Sequence, residues 1–216
     1  MRIKTSSFLL AIMSYKWLRY ASSLKVIALH GKGNTGESFQ KKIEPFVAAT
    51  KGSAEWIFPT APHSVEDGMA WWLLPPGVRT YNAEKLEGVE ESIKMIEDLY
   101  PFDAIIGHSQ GAMLAAILIA RGLSGESEVK PNFAILSGSA WPAPFSTLLD
   151  SIPPTSVKES ELQSLHIIGD KDDMNPPVQA MRLGKVLQGE IYTHPGGHVL
   201  PVDMTSIKKY CSFLKI

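Results

Sequence analysis

The sequence predicts an α/β fold, with a mostly parallel central sheet covered by helices on both faces. Three observations predict it. Short β-type runs alternate with helical patterns along the chain, which is the signature of βαβ units. The runs are apolar throughout rather than alternating, as strands buried on both faces are. One of them leads directly into a glycine-flanked serine and then a long apolar helix.

The elements follow in order. Leu24–Leu29 is the first strand and ends at His30-Gly31. In the next loop Asn34 and Glu37 have the spacing of a helix N-cap and its third residue. Phe39, Ile43, Phe46 and Val47 then fall on one helical face. Ala54–Phe58 reads as a second strand, stopped by Pro59. A long irregular stretch from Thr60 to Asn82 holds Trp71, Trp72 and Tyr81. Loops of such length in a folded domain are often functional. Leu86, Val89, Ile93 and Ile96 mark an amphipathic helix. Phe102–Gly107 is a strand, and Ala112–Ala120 is apolar all round, which makes it a buried helix. Phe133–Leu136, Leu165–Ile168 and Ile191–Thr193 complete the strands. A helix opens near Pro176-Pro177, and Ile207–Leu214 closes the chain.

Length and composition narrow the function classes. The 216 residues suit one domain with a sizeable core. A net charge of −1 without a long run of one sign gives no footing for nucleic acid. No run is long enough to span a bilayer, so no stable membrane insertion is expected. The single cysteine, Cys211, can close no internal disulfide, which favours a reducing compartment, the cytoplasm first. Residues 1–23 are set apart as an N-terminal extension, disordered or targeting. They carry Arg2, Lys4, Lys16 and Arg19, and no acid precedes Glu37. That is how a transit peptide is composed, and it would make the address organellar. Residues 24–216 form the expected single domain.

The chemistry sits in three loops. Gly107-His108-Ser109-Gln110-Gly111 fits G-x-S-x-G, the nucleophile elbow that lifts a serine hydroxyl above a parallel sheet. A serine needs a base, and the base needs an orienting carboxylate, in the chain order Ser, acid, His. His166, His194 and His198 follow Ser109. His198 is preferred because it lies in a glycine-rich loop past the last strand, with His194 as the alternative. The acid belongs to the loop after the penultimate strand, where Asp170, Asp172 and Asp173 stand. Asp172 is preferred. The oxyanion donors expected are the backbone N–H groups of Gln110 and of Lys32 in the loop after the first strand. Trp71, Trp72, Tyr81, Trp141 and Met174 are the residues expected to line an acyl pocket.

These features together resemble the FSH family of serine hydrolases, within the α/β-hydrolase superfamily. The resemblance is carried by Leu29-His30-Gly31, Pro59-Thr60-Ala61-Pro62-His63, Trp71-Trp72, the elbow, Gly169-Asp170-Lys171-Asp172 and Gly196-Gly197-His198-Val199-Leu200-Pro201. It covers roughly Leu24 to Leu214. It implies an α/β-hydrolase fold with little or no cap domain and a Ser109-Asp172-His198 triad. It also implies hydrolysis of a small-molecule acyl ester or thioester with no cofactor and no metal. A noncatalytic ligand-binding protein, and an amide or C–C bond hydrolase, are the rival readings on the same residues.

Overall fold

Strand formation follows the apolar runs. In the computed structural model, which describes residues 23–216, β1 (Leu24–Leu29), β2 (Ala54–Ile57), β5 (Ala104–His108), β6 (Phe133–Ser137), β7 (Gln163–Gly169) and β8 (Glu190–His194) form one sheet. Its order is β2-β1-β5-β6-β7-β8, and every pairing is parallel. Parallel neighbours need crossovers, and helices supply them on both faces.

Alternate residues of each strand feed different cores. Ile27, Leu29, Ile105 and Leu136 point to one side, against α3 (Val89–Glu97), α4 (Gln110–Ser124) and α7 (Pro177–Val186). Val26, Ile106, Ile135 and Ile167 point to the other, against α2 (Glu44–Ala49) and α8 (Met204–Leu214). Helix α1 (Gly36–Lys42) packs Phe39 on the same side, over Ala28. Two short helices, α5 (Ser146–Asp150) and α6 (Pro154–Glu159), add Leu149 and Val157 to the first core. Cys211 lies half-buried in α8, and burial pushes its thiol pKa up.

Three sequence expectations need correction. The first helix is capped by Thr35, whose side chain takes the Ser38 N–H while Ser38 Oγ takes the Thr35 N–H. Asn34 is instead committed to the loop before it. The face from Phe39 to Val47 belongs to two helices, because Ile43 leaves helical geometry ahead of Pro45. The stretch from Thr60 to Asn82 contains a small hairpin, β3 (His63–Val65) with β4 (Gly68–Ala70), and a 3₁₀ turn at Thr80–Asn82. Of the extension at residues 1–23, with its targeting reading, residues 1–22 lie outside the described residues. Among those described, no helix is long and apolar enough to cross a membrane.

One buried histidine gives the fold an acid-side weakness. His166 is fully buried in β7, with Nε2 3.2 Å from Ser164 Oγ and Nδ1 without a partner among the described residues. Burial lowers its pKa from 6.5 to about 4. Between those values the unfolded chain binds the proton and the folded one does not. The stabilisation is therefore whole above the ordinary value and is lost as pH falls towards about 4. The slope is at most about 1.4 kcal/mol per pH unit. His166→Gln should flatten the dependence of urea stability between about pH 7 and about pH 5 by roughly that slope. Parallel curves for the two proteins would refute this.

Candidate active site

Three strand ends and the loops beyond them meet at the carboxyl edge of the sheet, where ligands gather in open α/β folds. Ser109 follows β5 directly and has φ 55° and ψ −120°. A non-glycine residue there is strained by about 1–3 kcal/mol, and such strain persists only where the surroundings enforce it. Here they do. The Ser109 N–H donates to the Ser137 carbonyl at 2.9 Å. A Cβ on Gly107 would come within 2.5 Å of the Ala112 backbone, and one on Gly111 within 2.2 Å of the Leu29 carbonyl oxygen. Gly107 and Gly111, on either side of this turn, are thus required by close approach. A serine at a helix N-cap ordinarily spends its hydroxyl on the helix. Ser109 makes no such bond, so its hydroxyl is not spent on the helix.

Of the three acids after β7, Asp170 and Asp173 are exposed and Asp172 is buried. Asp172 Oδ1 accepts the N–H groups of Met174 at 3.1 Å and Asn175 at 2.8 Å. Its Oδ2 lies 2.7 Å from His198 Nδ1. Asn175 then ties this loop to the sheet, its side-chain amide donating to the Gly138 carbonyl at 2.7 Å. Gly138 stands where a Cβ would press on the His198 ring at 3.0 Å. The His198 loop is fixed from both sides. Lys171 N–H donates to the Gly196 carbonyl at 3.0 Å, and Ser137 Oγ–H to the Val199 carbonyl at 3.2 Å.

His198 Nε2 is buried and makes no hydrogen bond, to Ser109 or to any other described residue. The His198 ring lies 4.9 Å, centroid to centroid, from the ring of His108, the residue before Ser109. Burial, and then the charge of His198, lower the His108 pKa to about 3, so His108 is neutral. The other histidines are committed elsewhere. His166 is paired with Ser164, and His194 Nδ1 accepts the Gly196 N–H at 3.2 Å.

Two amides near Ser109 donate to no described group. The first-turn N–H of Gln110 donates to no described group, as is usual at a helix start, where the dipole also favours negative charge. In the loop after β1, Gly33 N–H goes to the Met69 carbonyl and Asn34 N–H to the Gly31 carbonyl, while Lys32 N–H donates to none. A Cβ on Gly31 would lie 3.1 Å from Ser109 Cβ, so this loop abuts the serine. His30 holds it from behind. Its Nε2 accepts the Ala61 N–H at 2.9 Å, which leaves the proton on Nδ1 to donate to the Gly31 carbonyl at 2.8 Å.

The expected aromatic lining is corrected. Trp71 and Trp72 are fully buried, and Trp141 is 2% exposed; all three belong to the core. The Trp71 indole donates to the His30 carbonyl at 2.7 Å. The Trp141 indole is bound to Ser146 and covered by the Arg182 guanidinium 3.6 Å from its ring. Tyr81 is half-buried, and Met174 is 42% exposed. Sequence reasoning also missed what the Gln110 side chain does. Its Oε1 accepts the Trp71 N–H at 3.0 Å and its Nε2 donates to the Trp72 carbonyl at 3.1 Å. It clamps the tryptophan segment onto the elbow.

This fold is that of the α/β-hydrolases. Arabidopsis thaliana SOBER1 superposes with a TM-score of 0.69 at 19% identity, over 90% of this chain and 98% of that one. Zea mays acyl-protein thioesterase 2 does so at 0.68 and 21%, over 89% and 93%. The chain belongs to the serine hydrolase (FSH1) family, whose sequence model matches residues 20–210. Its relatives include the esterase AAEL000016 of Aedes aegypti, 30% identical over 90% of this chain and 76% of the relative. Human esterase OVCA2 is 30% identical over 88% of this chain and 95% of its own length. Membership places the chain among hydrolases.

Proposed function

We propose that this protein hydrolyses carboxylic esters or thioesters through an acyl-enzyme on Ser109, with His198 as base and Asp172 as its orienting acid. The observation that carries the reading is the 2.7 Å contact of Asp172 with His198, whose ring packs against that of His108, the residue before Ser109. Asp172, held by backbone N–H groups, takes the proton on Nδ1, and Nε2, which bonds to no described residue, is left to serve as the base for Ser109. The family's esterases support the same chemistry.

In the first step the Ser109 hydroxyl proton passes to His198 Nε2 as Oγ bonds to the acyl carbon. The negative charge that develops on the acyl oxygen is met by the N–H groups of Gln110 and Lys32. The C–O or C–S bond then breaks, and the alcohol or thiol leaves with the proton from His198. Water, deprotonated by His198, releases the acid and restores Ser109. Asp172 stabilises the imidazolium. Tyr81 and Met174 are the expected lining residues that keep surface to offer an acyl chain. A protein partner, a metal or a cofactor enters no step.

Labelling with a fluorescent fluorophosphonate tests this. Wild type should label, and Ser109→Ala, equally folded, should not. Ester turnover in that variant should fall by about 10⁴-fold or more. A folded wild type that takes no label would overturn the mechanism in favour of ligand binding without turnover.

A further inference from the structure

Resting on that reading, we propose that Asn34 is a positioning residue that aims the Lys32 N–H at the oxyanion, with Lys42 as its anchor. The Asn34 side-chain amide donates to the Gly31 carbonyl at 3.3 Å and to the Lys32 carbonyl at 3.2 Å. Its own N–H donates to Gly31 as well, at 3.2 Å. Its Oδ1 accepts from the Lys42 ammonium, which reaches back from the last turn of α1. That contact decides the orientation of the amide, since an ammonium can only face oxygen.

The consequence follows from peptide geometry. A trans peptide places C=O and N–H on opposite sides. Holding the Gly31 carbonyl towards Asn34 and His30 therefore turns the Lys32 N–H the other way, from a peptide that already abuts Ser109. If the peptide flipped, the donor would become a carbonyl oxygen facing a developing negative charge. Among the described residues, the loop backbone bonds to the hairpin backbone at Gly33 and Asn34, through Met69. The Gly31 carbonyl is held by the Asn34 backbone N–H and by two side chains, those of His30 and Asn34. Lys42 adds a positive charge nearby, which contributes to the lowered pKa of His30 and of His108. An exposed ion–dipole contact is weak by itself. Its value here is orientation.

Asn34→Ala removes both amide donors. Asn34→Asp keeps an acceptor for Lys42 but turns a carboxylate on two carbonyls. Turnover of a p-nitrophenyl acyl ester and inhibition by an alkyl trifluoromethyl ketone, whose adduct with serine carries an oxyanion, are compared at equal melting temperature. In Asn34→Ala, kcat should fall between about 10- and 100-fold with KM nearly unchanged, less than the loss for deleting an oxyanion donor outright. The ketone should weaken by the same factor, and Asn34→Asp should be worse in both. A loss of packing alone would not move the two in proportion. The proposal is overturned if kcat stays within about twofold of wild type, or falls while ketone affinity holds. Should neither Asn34 variant fold, Lys42→Met decides. About a threefold loss in both readouts supports the relay, and no change in either overturns it. Absence of wild-type turnover would instead strike the hydrolase reading itself.

Discussion

Asp172→Asn should leave a folded protein whose ester turnover is lower by about 10⁴-fold. The size of the effect comes from which way the new amide must point. Oδ1 of Asp172 accepts two backbone N–H groups, from Met174 and Asn175. An amide nitrogen placed there would set donor against donor twice, so the amide oxygen takes that position. The nitrogen then occupies the place of Oδ2, 2.7 Å from His198 Nδ1 in the native arrangement. It can only donate. His198 must accept on Nδ1 and carry its proton on Nε2, where it can no longer take one from Ser109. In chains whose acid is held less firmly the amide could turn and relieve this; here the backbone forbids it. Fluorophosphonate labelling should slow in parallel, while the urea midpoint moves little. Turnover within about tenfold of wild type would show that Asp172 does not set the tautomer.

The parts of the site differ in how legible they are in the sequence, for physical reasons. Strands were readable because a strand buried on both faces is a continuous apolar run, and β5 and β6 are such runs. The serine was readable because its turn demands glycines at fixed offsets, Gly107 and Gly111. The candidate acid was placed in a loop by the sequence, with Asp172 preferred there. Asp170, Asp172 and Asp173 share composition and neighbourhood, and burial of Asp172 alone separates them. Trp71 and Trp72 illustrate the opposite failure. A tryptophan pair in a long loop is equally compatible with a pocket wall and with core, and the deciding contacts are to His30, 41 residues away, and to Gln110, 39 residues away. The Asn175 bond to Gly138 spans 37 residues. Asn34 is the instructive case, since its partners are local. Its spacing to Glu37 suggested a cap, but Thr35 and Ser38 satisfy the helix start themselves, which leaves the Asn34 side chain free to hold Gly31 and Lys32.

Gly111→Ala should cost about 3 kcal/mol or more, or prevent folding, although helix propensity alone predicts the reverse. Gly111 is the second residue of α4, where alanine in place of glycine would ordinarily gain up to about 1 kcal/mol. The methyl group has nowhere to go. It would stand 2.2 Å from the Leu29 carbonyl oxygen and 2.7 Å from that of His30. Both are backbone atoms at or just past the end of β1, a strand that lies between β2 and β5 and pairs with β5 at Leu29. The helix cannot retreat, because nearly its whole length is buried, and Ala112 already meets Gly107 closely. Gly184→Ala, inside α7, is the control. There the nearest atom is the Ile191 Cδ1 at 2.7 Å, the far end of a side chain that can rotate, so the change should stay within about 1 kcal/mol. Any Gly111→Ala protein that does fold must have moved Leu29 and His30, and with them the peptide that presents Lys32. Its turnover should therefore fall further than its stability accounts for at room temperature. Urea denaturation of the two variants, with turnover measured on the folded fraction, separates these effects. A Gly111→Ala protein as stable as wild type would mean that the elbow does not press on β1 as the structure shows.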